Sequence, residues 1–276
     1  MSNDMYKILA NGVKMPSIGF GTYKLIDKVE TVNCIKEAIK IGYRQIDAAY
    51  FYKNEDIVGR GIKESGIQRE EIFLVSKLWN DEHGYENVMK AFNRSLKNLG
   101  VDYLDLYLIH WPNKLNSDTW RAFEELYMQG KVKAIGVCNF KQGHLEELKK
   151  IAKIMPMVNQ IEIHPGRSQK DMVKYCKENN IQLVAWGPIM RGKIVEIPLL
   201  NELAKKYNKN EAQITLKWHI QNGIIPIPKS SNIERIKANF NIFDFQISNE
   251  DIEKIDLLNR DENISGVPEN TTYLDF

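Results

Sequence analysis

The chain has 276 residues, 43% of them hydrophobic, and a formal net charge of +2 at pH 7. This near balance of charge gives no reason to expect nucleic acid or an anionic membrane as a partner, and no apolar run is long enough to span a bilayer. The three cysteines, Cys34, Cys138 and Cys176, lie far apart without a CxxC pair, which argues against a disulfide framework. The N-terminal segment lacks the apolar stretch of a signal peptide, so we expect a cytoplasmic protein.

The first predicted element is a hairpin in the segment YKILANGVKMP, in which Asn11 and Gly12 supply the positive φ angles of a two-residue turn. Eight strand–helix units follow the hairpin. Their predicted strands are residues 18–21, 44–47, 72–77, 103–110, 134–139, 158–163, 182–187 and 224–229. Each strand is short, apolar at nearly every position and bounded by turn residues, a pattern typical of parallel strands covered on both faces.

Amphipathic helices are predicted between the strands. In the third unit, an apolar stripe at helical spacing is formed by Val88, Phe92, Leu96 and Leu99. The seventh unit contains two predicted helices, at about 198–207 and 210–221, and an extra helix follows the eighth unit at about 248–259.

Eight repeats of this kind predict one α/β domain over residues 1–276, a single (β/α)8 TIM barrel with an N-terminal β-hairpin and extra helices. An open doubly wound sheet is the alternative. Its dinucleotide-binding version needs G-x-G-x-x-G between a strand and a helix, and the nearest match, Gly19-Phe20-Gly21, lacks the third glycine. Any nucleotide must therefore be held in another way.

Ionisable residues lie at the ends of successive predicted strands. Asp47, Lys77 and His110 end the second, third and fourth strands, and Tyr52 lies just past the second. A charge at the end of a buried strand is costly unless it is paired, and functional groups of such barrels gather at the C-terminal strand ends. We interpret this acid, phenol, ammonium and imidazole as one site that donates a proton.

The later strands also end in polar or aromatic side chains, which predicts a shared cavity: Asn139, Gln160, Trp186 and Lys229. Each ionisable residue has a plainer explanation when it is considered alone. Asp47 could cap a helix, Lys77 could be a surface lysine, and His110 could be a core histidine. We interpret Asp105, inside the fourth strand, as structural.

The chain resembles the aldo-keto reductases in a series of segments: GYRQIDAAYFYKNE, LVSKLWN, DLYLIHWP, KAIGVCNF, NQIEIHP and IPKSSNIERIKANF. The resemblance runs in order from about Tyr6 to Leu258. It is strongest to bacterial diketogluconate reductases and glyoxal or methylglyoxal reductases, which are similar in the spacing from Tyr52 to Lys77 to His110. It implies an oxidoreductase that reduces small aldehydes, 2-oxoaldehydes or ketones by hydride transfer from NADPH.

The resemblance implies that Tyr52 is the general acid that protonates the developing alkoxide. A free tyrosine has a pKa of about 10, and lowering it by about three units requires roughly 4 kcal/mol. An ammonium at about 4 Å, at an effective dielectric constant of about 20, supplies about that much, and Lys77 is the candidate. Asp47 would pair with Lys77 and keep it charged, while His110 would orient the carbonyl by a hydrogen bond.

The cofactor NADPH (NADP+) is implied by the same resemblance, with the following binding residues: Gly21, Thr22, Asp47, Cys138, Asn139, Gln160, Trp186, Gly187, Lys229, Ser230, Arg235 and Asn239. Asn139 and Gln160 would hold the nicotinamide carboxamide, and Trp186 would stack on the ring. Lys229 and Arg235 flank the start of a helix, where backbone amides and cations form an anion site, here implied to bind the adenosine 2′-phosphate.

Four positions depart from the family pattern. Cys138 replaces a common Ser, and Trp186 replaces the usual stacking Tyr. Gly187 begins a Gly-Pro-Ile segment in place of Ser-Pro-Leu, which removes an expected side-chain contact to the pyrophosphate. Ala238 replaces a frequent Glu, which removes one adenine contact.

An aromatic substrate pocket is implied, formed by Tyr23, Tyr50, Trp79, His110 and Trp111, and the tail GVPENTTYLDF is placed to fold over it. The histidines are scattered without an HExxH motif, so we expect no metal site. The family expectation is a monomer that binds a small carbonyl substrate. Two alternatives are a lyase that forms a Schiff base on Lys77 and a non-catalytic, nucleotide-sensing subunit.

Overall fold

The N-terminal hairpin is present in the structure, a computed structural model that describes residues 5–267 and 271–273. Strands β1 (Tyr6–Ile8) and β2 (Lys14–Pro16) pair antiparallel. The predicted two-residue turn is wrong, because the N–H of Leu9 donates to the carbonyl of Val13 at 2.9 Å and the connection is residues 10–12.

Asn11 and Gly12 have different roles in this loop from those predicted. Gly12 alone of the pair has a positive φ, at 85°, as in a type I turn that ends in a left-handed glycine. The side-chain amide of Asn11 donates instead to the carbonyl of Lys133 at 2.8 Å. Since Lys133 lies at the N-terminal end of a barrel strand, this bond fixes the hairpin to that end of the barrel.

The central sheet contains eight parallel strands that neighbour one another in chain order. They are β3 (Gly19–Gly21), β4 (Gln45–Asp47), β5 (Phe73–Leu78), β6 (Leu104–Ile109), β7 (Val132–Cys138), β8 (Val158–Glu162), β9 (Gln182–Trp186) and β10 (Ile225–Pro226). The first and last strands meet, since the N–H of Gly21 donates to the carbonyl of Pro228 at 3.1 Å. The predicted (β/α)8 barrel is confirmed, and the open sheet is excluded.

Ten α-helices are present in the described part of the chain. They are α1 (Lys28–Ile41), α2 (Glu55–Ser65), α3 (Tyr85–Leu99), α4 (Asn116–Met128), α5 (Gln142–Lys149), α6 (Lys170–Glu178), α7 (Pro198–Tyr207), α8 (Glu211–Gln221), α9 (Ile233–Phe240) and α10 (Asn249–Asp256). The paired helices of the seventh unit, α7 and α8, match their predicted bounds closely. The extra helix α10 ends three residues before its predicted limit, at Asp256 rather than 259.

The strands are buried on both faces, as their sequence pattern predicted. Every residue of β5 and β6 is buried, because one face fills the barrel and the other packs against the helices. In α3 the predicted stripe faces inward, with Val88, Phe92 and Leu99 buried. The C-terminal strand ends are therefore held on a rigid frame.

Candidate active site

Lys77, on β5, is the centre of a hydrogen-bonded cluster and is fully buried. Its Nζ donates to Asp47 Oδ1 at 2.5 Å, to the carbonyl of Ala48 at 2.9 Å and to the Tyr52 hydroxyl oxygen at 3.2 Å. An ammonium has three hydrogens to donate, and these contacts use all of them. The cluster thus joins an acid, an amine and a phenol.

Strand register and a short turn bring these groups together. In the parallel pair β4 and β5, Asp47 lies opposite Val75, and Lys77 shares the face of Val75 because side chains alternate along a strand. After β4 the chain makes a 3-10 turn over Tyr50–Tyr52. The turn directs the hydroxyl of Tyr52 back to Lys77.

The charge of Lys77 is maintained by its partners. Burial lowers the pKa of Lys77, but the charge of Asp47 and its hydrogen bond outweigh that effect and hold the pKa above its ordinary value. Lys77 is therefore an ammonium at neutral pH, as the sequence predicted.

The expected lowering of the Tyr52 pKa is wrong for the chain alone. Burial raises the pKa of Tyr52 above the ordinary value of a phenol, and the charge of Lys77 lowers it only in part, while Asp47 raises it. The Coulomb estimate from the sequence omitted the cost of removing a phenolate from water. Tyr52 is consequently a neutral hydroxyl whose oxygen accepts a hydrogen bond from an ammonium.

His110 follows β6 and faces the Tyr52 ring edge-on, with the ring centroids 5.7 Å apart. Burial, and then the charge of Lys77, hold the pKa of His110 well below its ordinary value, so the imidazole is neutral at pH 7. Its Nδ1 is buried without a hydrogen-bond partner in the described chain. Because the rest of the ring is less enclosed, Nε2 is the nitrogen available to a ligand.

Aromatic side chains surround this group of residues. Tyr23 lies beside Tyr52, with ring centroids 5.0 Å apart, and Trp79 lies 5.1 Å from His110. Phe51, the residue before Tyr52, stacks on Trp79 with the ring centroids 3.8 Å apart. We therefore add Phe51 to the walls of the pocket.

Tyr50, by contrast, makes no ring contact with the cluster in the described part of the chain. The guanidinium of Arg94, on α3, lies 3.6 Å above its ring. A 3-10 turn projects three successive side chains in different directions, so the sequence YFY could not show which of them face the site. The structure connects Tyr50 to α3, and its predicted place in the substrate pocket has no support from these contacts.

A chain of side-chain amides extends from the cluster along the later strand ends. Gln160, on β8, donates to Asp47 Oδ2 at 2.8 Å. Asn139 donates to the carbonyl of His110 at 3.0 Å and accepts a hydrogen bond from the indole N–H of Trp186 at 2.8 Å. Asn139 has a positive φ of 60°, a conformation that asparagine tolerates better than most residues. The backbone N–H of Asn139 donates to the carbonyl of Gln160 at 3.0 Å, so these three residues follow one another along the strand ends that begin beside Asp47.

Three more predicted cofactor residues lie close to the same edge. Thr22 is buried and donates its hydroxyl hydrogen to the carbonyl of Asp47 at 2.8 Å. The Cys138 thiol is buried, and burial raises its pKa, so it is protonated. At Gly21, a Cβ atom would lie 2.8 Å from the carbonyl oxygen of Ile227, so glycine is needed here for barrel closure.

The N-terminus of α9 carries two cations without counter-charges. Asn232 caps the helix by accepting the N–H of Arg235 at 3.0 Å, and it donates its own N–H to Ser230 Oγ at 3.1 Å. Neither Lys229 nor Arg235 forms an ion pair within residues 5–267 and 271–273. Asn239 is buried one turn further along α9. Backbone amides and two cations at a helix start attract an anion.

A cavity of about 300 Å³ adjoins Asn139 and Trp186. Its wall includes Trp111 and several residues of the segment after α10, among them Asn263, Ser265 and Val267. Of the tail that was predicted to fold over the pocket, Val267, Thr271 and Thr272 line this cavity. Residues 268–270 and 274–276 of the tail lie outside the described chain.

Residues 5–267 and 271–273 contain no group of three or more His, Cys, Asp or Glu side chains placed to hold a metal ion. In the same residues, no helix combines the length and apolar character needed to cross a bilayer.

The barrel, with its buried cluster of Asp47, Lys77 and Tyr52, fits a class of (β/α)8 oxidoreductases, and sequence comparison specifies the family. The Aldo/keto reductase family matches residues 17–260. The chain therefore belongs to the aldo/keto reductase family and is an enzyme, as its segments predicted.

Known relatives cover nearly the whole chain. It is 52% identical to a glyoxal reductase of Bacillus subtilis over 96% of both chains, and 49% identical to a 9,11-endoperoxide prostaglandin H2 reductase of Trypanosoma cruzi over 95% of this chain and 94% of the relative. A solved aldo-keto reductase from a Medee basin deep-sea metagenome library is 46% identical, with a TM-score of 0.93 over 97% of this chain and 100% of that structure. A Bombyx mori aldo-keto reductase solved in complex with NADP is 35% identical, with a TM-score of 0.89 over 94% of each chain.

Proposed function

We propose that this enzyme uses NADPH to reduce small aldehydes, 2-oxoaldehydes or ketones to alcohols, with Tyr52 as the general acid. One observation supports this proposal above all others. The Lys77 ammonium lies 3.2 Å from the Tyr52 hydroxyl oxygen and is held charged by Asp47. A phenol that accepts a hydrogen bond from an ammonium is a better proton donor than the same phenol in an apolar pocket.

The residues present fit a nicotinamide dinucleotide phosphate. The side-chain oxygen of Gln160 accepts no hydrogen bond within the described chain, and Asn139 adjoins it, so both could hold a carboxamide. Trp186 is partly exposed, which leaves an indole face for stacking. At the other end of the site, Lys229 and Arg235 would bind the 2′-phosphate beside the N-terminus of α9. The bound cofactor would supply the hydride.

The proton would come from Tyr52. As hydride reaches the carbonyl carbon, negative charge develops on the carbonyl oxygen, and the Tyr52 O–H is free to donate to it. The charge of Lys77 then stabilises the phenolate left behind. Asp47 lies on the other side of that ammonium and prevents its deprotonation by burial.

His110 would position the carbonyl. Its imidazole is neutral, and the unpartnered Nδ1 lies in buried surroundings, so Nε2 would carry the proton and donate to the carbonyl oxygen. Tyr52 and His110 would thus approach one oxygen from two sides. The surrounding rings of Tyr23, Phe51 and Trp79 would exclude water and favour a small substrate.

The relatives support the choice of substrate class. The glyoxal reductase of Bacillus subtilis, 52% identical, is named for a small dicarbonyl compound. We therefore propose glyoxal, methylglyoxal and related 2-oxoaldehydes as the first substrates to test. We also propose that the enzyme is a cytoplasmic, single-domain monomer, and light scattering of the purified protein tests its oligomeric state.

The Schiff-base alternative has less support. A lysine must be neutral to attack a carbonyl, whereas the pKa of Lys77 is held above its ordinary value by Asp47. Borohydride trapping of a carbonyl compound on Lys77 would favour that alternative. A nucleotide-sensing subunit would bind NADPH without any turnover.

The decisive experiment follows cofactor absorbance at 340 nm with methylglyoxal and with 4-nitrobenzaldehyde, using NADPH and then NADH. We expect turnover with both aldehydes and a clear preference for NADPH. Arg235→Ala should raise the KM for NADPH about tenfold or more, since it removes a charge-assisted contact, and should leave the KM for NADH nearly unchanged. Lys237→Ala removes another exposed cation two positions further along the same helix and is the control. Equal efficiency with NADH and NADPH would contradict the phosphate site.

A further inference from the structure

The segment after α10, residues 259–267, forms a strap along the loop that follows β8. The backbone N–H groups of Arg260 and Glu262 both donate to the carbonyl of Gly166 at 3.0 Å. The N–H of Ser168 donates to Asn259 Oδ1 at 2.8 Å. These bonds fix the first half of the strap.

The second half of the strap is held by one buried carboxylate, that of Glu162. Its Oε1 accepts the N–H of Ile264 at 2.8 Å and contacts His164 Nε2 at 3.0 Å. Its Oε2 accepts the N–H of Ser265 at 3.1 Å, and the same N–H also donates to Asn263 Oδ1 at 2.8 Å within the strap. Glu162 is only 5% exposed, and a buried carboxylate is costly unless such donors compensate it. The proposed reduction does not use this carboxylate.

Glu162 connects the strap to the cofactor side of the site. It ends β8, two residues after Gln160. The strap residue Ile264 packs at Gly187, where a Cβ atom would lie 3.1 Å from Ile264 Cδ1. Gly187 follows Trp186 directly, and Ser265 lines the same cavity as Trp186. The strap therefore closes one side of the space beside the proposed nicotinamide residues.

We propose that Glu162 is a positioning residue that holds the strap closed and thereby slows release of the nicotinamide end of the cofactor. This inference rests on the cofactor site of the proposed function. When the carboxylate releases the backbone of Ile264 and Ser265, the side chain of Ile264 leaves Gly187 and the cavity opens to solvent. The strap then no longer obstructs cofactor departure, whereas the cluster of Lys77 and Tyr52 is unchanged.

The test is Glu162→Gln, which preserves size but replaces one acceptor oxygen with a donor that faces another N–H. We expect faster amide hydrogen exchange in the cofactor-free protein at Ile264, and a smaller increase at Ser265, whose N–H keeps Asn263 Oδ1 as an acceptor. We also expect the NADPH dissociation rate, measured by stopped-flow displacement, to rise about tenfold, with a matching rise in Kd measured by fluorescence, because a hydrogen bond to a charged group is lost. The rate of hydride transfer in a single turnover at saturating NADPH should stay within about twofold of the wild-type rate.

Two further variants distinguish an effect of the strap from a nonspecific effect of replacing a glutamate. Glu146→Gln is the matched control, because Glu146 accepts a hydrogen bond from the Tyr175 hydroxyl at 2.6 Å and lies on α5, outside the strap. It should leave NADPH dissociation unchanged. Ile264→Ala removes the contact at Gly187 but keeps the backbone bonds to Glu162, so dissociation should accelerate by a smaller factor. This variant decides the question if Glu162→Gln does not fold.

The outcomes distinguish the inference from the function on which it rests. Failure of the wild-type protein to bind NADPH would contradict the proposed function itself. If the wild type binds NADPH and Glu162→Gln exchanges strap amides faster without changing NADPH dissociation, the strap does not control release and the inference is wrong. Unchanged exchange at Ile264 and Ser265 would show that Glu162 does not hold the strap, and it would overturn the inference directly.

Discussion

Two buried aspartates at opposite ends of the barrel are each paired with cations beside a tyrosine, and only one of these networks is open to a ligand. At the C-terminal end, Asp47 pairs with Lys77, which contacts Tyr52. At the N-terminal end, Asp105 pairs with Arg69 at 2.8 Å and with Lys133 at 2.9 Å.

The second network is complete in itself. Asp105 also accepts the N–H of Leu74 at 2.9 Å, and both cations lie over the ring of Tyr103, at 4.0 and 4.5 Å. The side chain of Lys133 is 43% exposed, so water screens its charge. This agrees with the structural role that the sequence suggested for Asp105.

The first network has no such screening. Lys77 is completely buried and uses its third hydrogen on the Tyr52 oxygen, which leaves the Tyr52 O–H for a ligand. The same three residue types can therefore stabilise a fold or donate a proton. The difference is that the Tyr52 hydroxyl accepts a hydrogen bond from a fully buried ammonium, whereas the ring of Tyr103 covers two partly exposed cations.

The largest difference between the networks should appear when each tyrosine loses its hydroxyl. We expect Tyr52→Phe to lower kcat for methylglyoxal about 1,000-fold, because general acid catalysis contributes about 100- to 10,000-fold, while the NADPH Kd changes little. Tyr103→Phe removes a hydroxyl whose single hydrogen-bond partner among the described residues is Lys133, at 3.5 Å, and should leave kcat unchanged. Comparable kcat values for Tyr52→Phe and wild type would refute the assignment of the acid.

The aspartates provide a second comparison with an identical chemical change. Asp47→Asn leaves a buried ammonium without its counter-charge, so Lys77 should lose its proton more readily and kcat should fall by about 10- to 100-fold. The free energy of unfolding should fall by about 3–5 kcal/mol, the cost of breaking a buried pair. Steady-state kinetics and urea denaturation measure both effects. A variant with full activity would show that Lys77 needs no counter-charge.

Asp105→Asn should affect stability alone. Its cations are partly exposed and remain solvated after the change, so we expect a loss of about 1–3 kcal/mol in the free energy of unfolding. The kcat should stay within about twofold of the wild-type value, because this network does not reach the site. A large fall in kcat without unfolding would mean that the two ends of the barrel are coupled.

The smallest expected effect is that of pH on reduction. Tyr52 must keep its proton, and its raised pKa keeps it protonated throughout the neutral range. His110 must stay neutral, and its lowered pKa keeps it neutral below the ordinary value of 6.5. The kcat/KM should therefore change by less than about threefold between pH 6 and 8. An inflection near pH 6.5 that disappears in His110→Gln would show that the imidazole titrates there.

The fold was predictable because each strand–helix unit repeats the same alternation of buried and amphipathic segments. The family was predictable from segments in which particular residues recur at fixed spacings. The hairpin turn was not, since Asn11-Gly12 suits both a two-residue turn and the three-residue loop that forms. Tertiary contacts selected the longer loop, in which Asn11 reaches Lys133.

The clustering of Asp47, Tyr52 and Lys77 was predictable from the strand ends, but the pKa of Tyr52 and the strap beside the cavity were not. Burial of Tyr52 outweighs the nearby ammonium, and the degree of burial cannot be obtained from a strand pattern. Phe51 and Tyr50 differ in direction because of a 3-10 turn. The contacts of Glu162 could not be predicted, because its partners include backbone amides of an irregular segment, which leave no periodic signal in the sequence.

The joint between the first and last strands also bears on the proposed nucleotide site. Gly21 and Pro228 are bonded across most of the chain length, so their contact is one of the most non-local in the fold. Lys229 directly follows this joint, and a Cβ atom at Gly21 would lie 3.7 Å from the Cβ of Lys229. A phosphate bound by Lys229 would therefore lie beside the closure of the sheet, and opening of that closure would also displace a ligand of the phosphate.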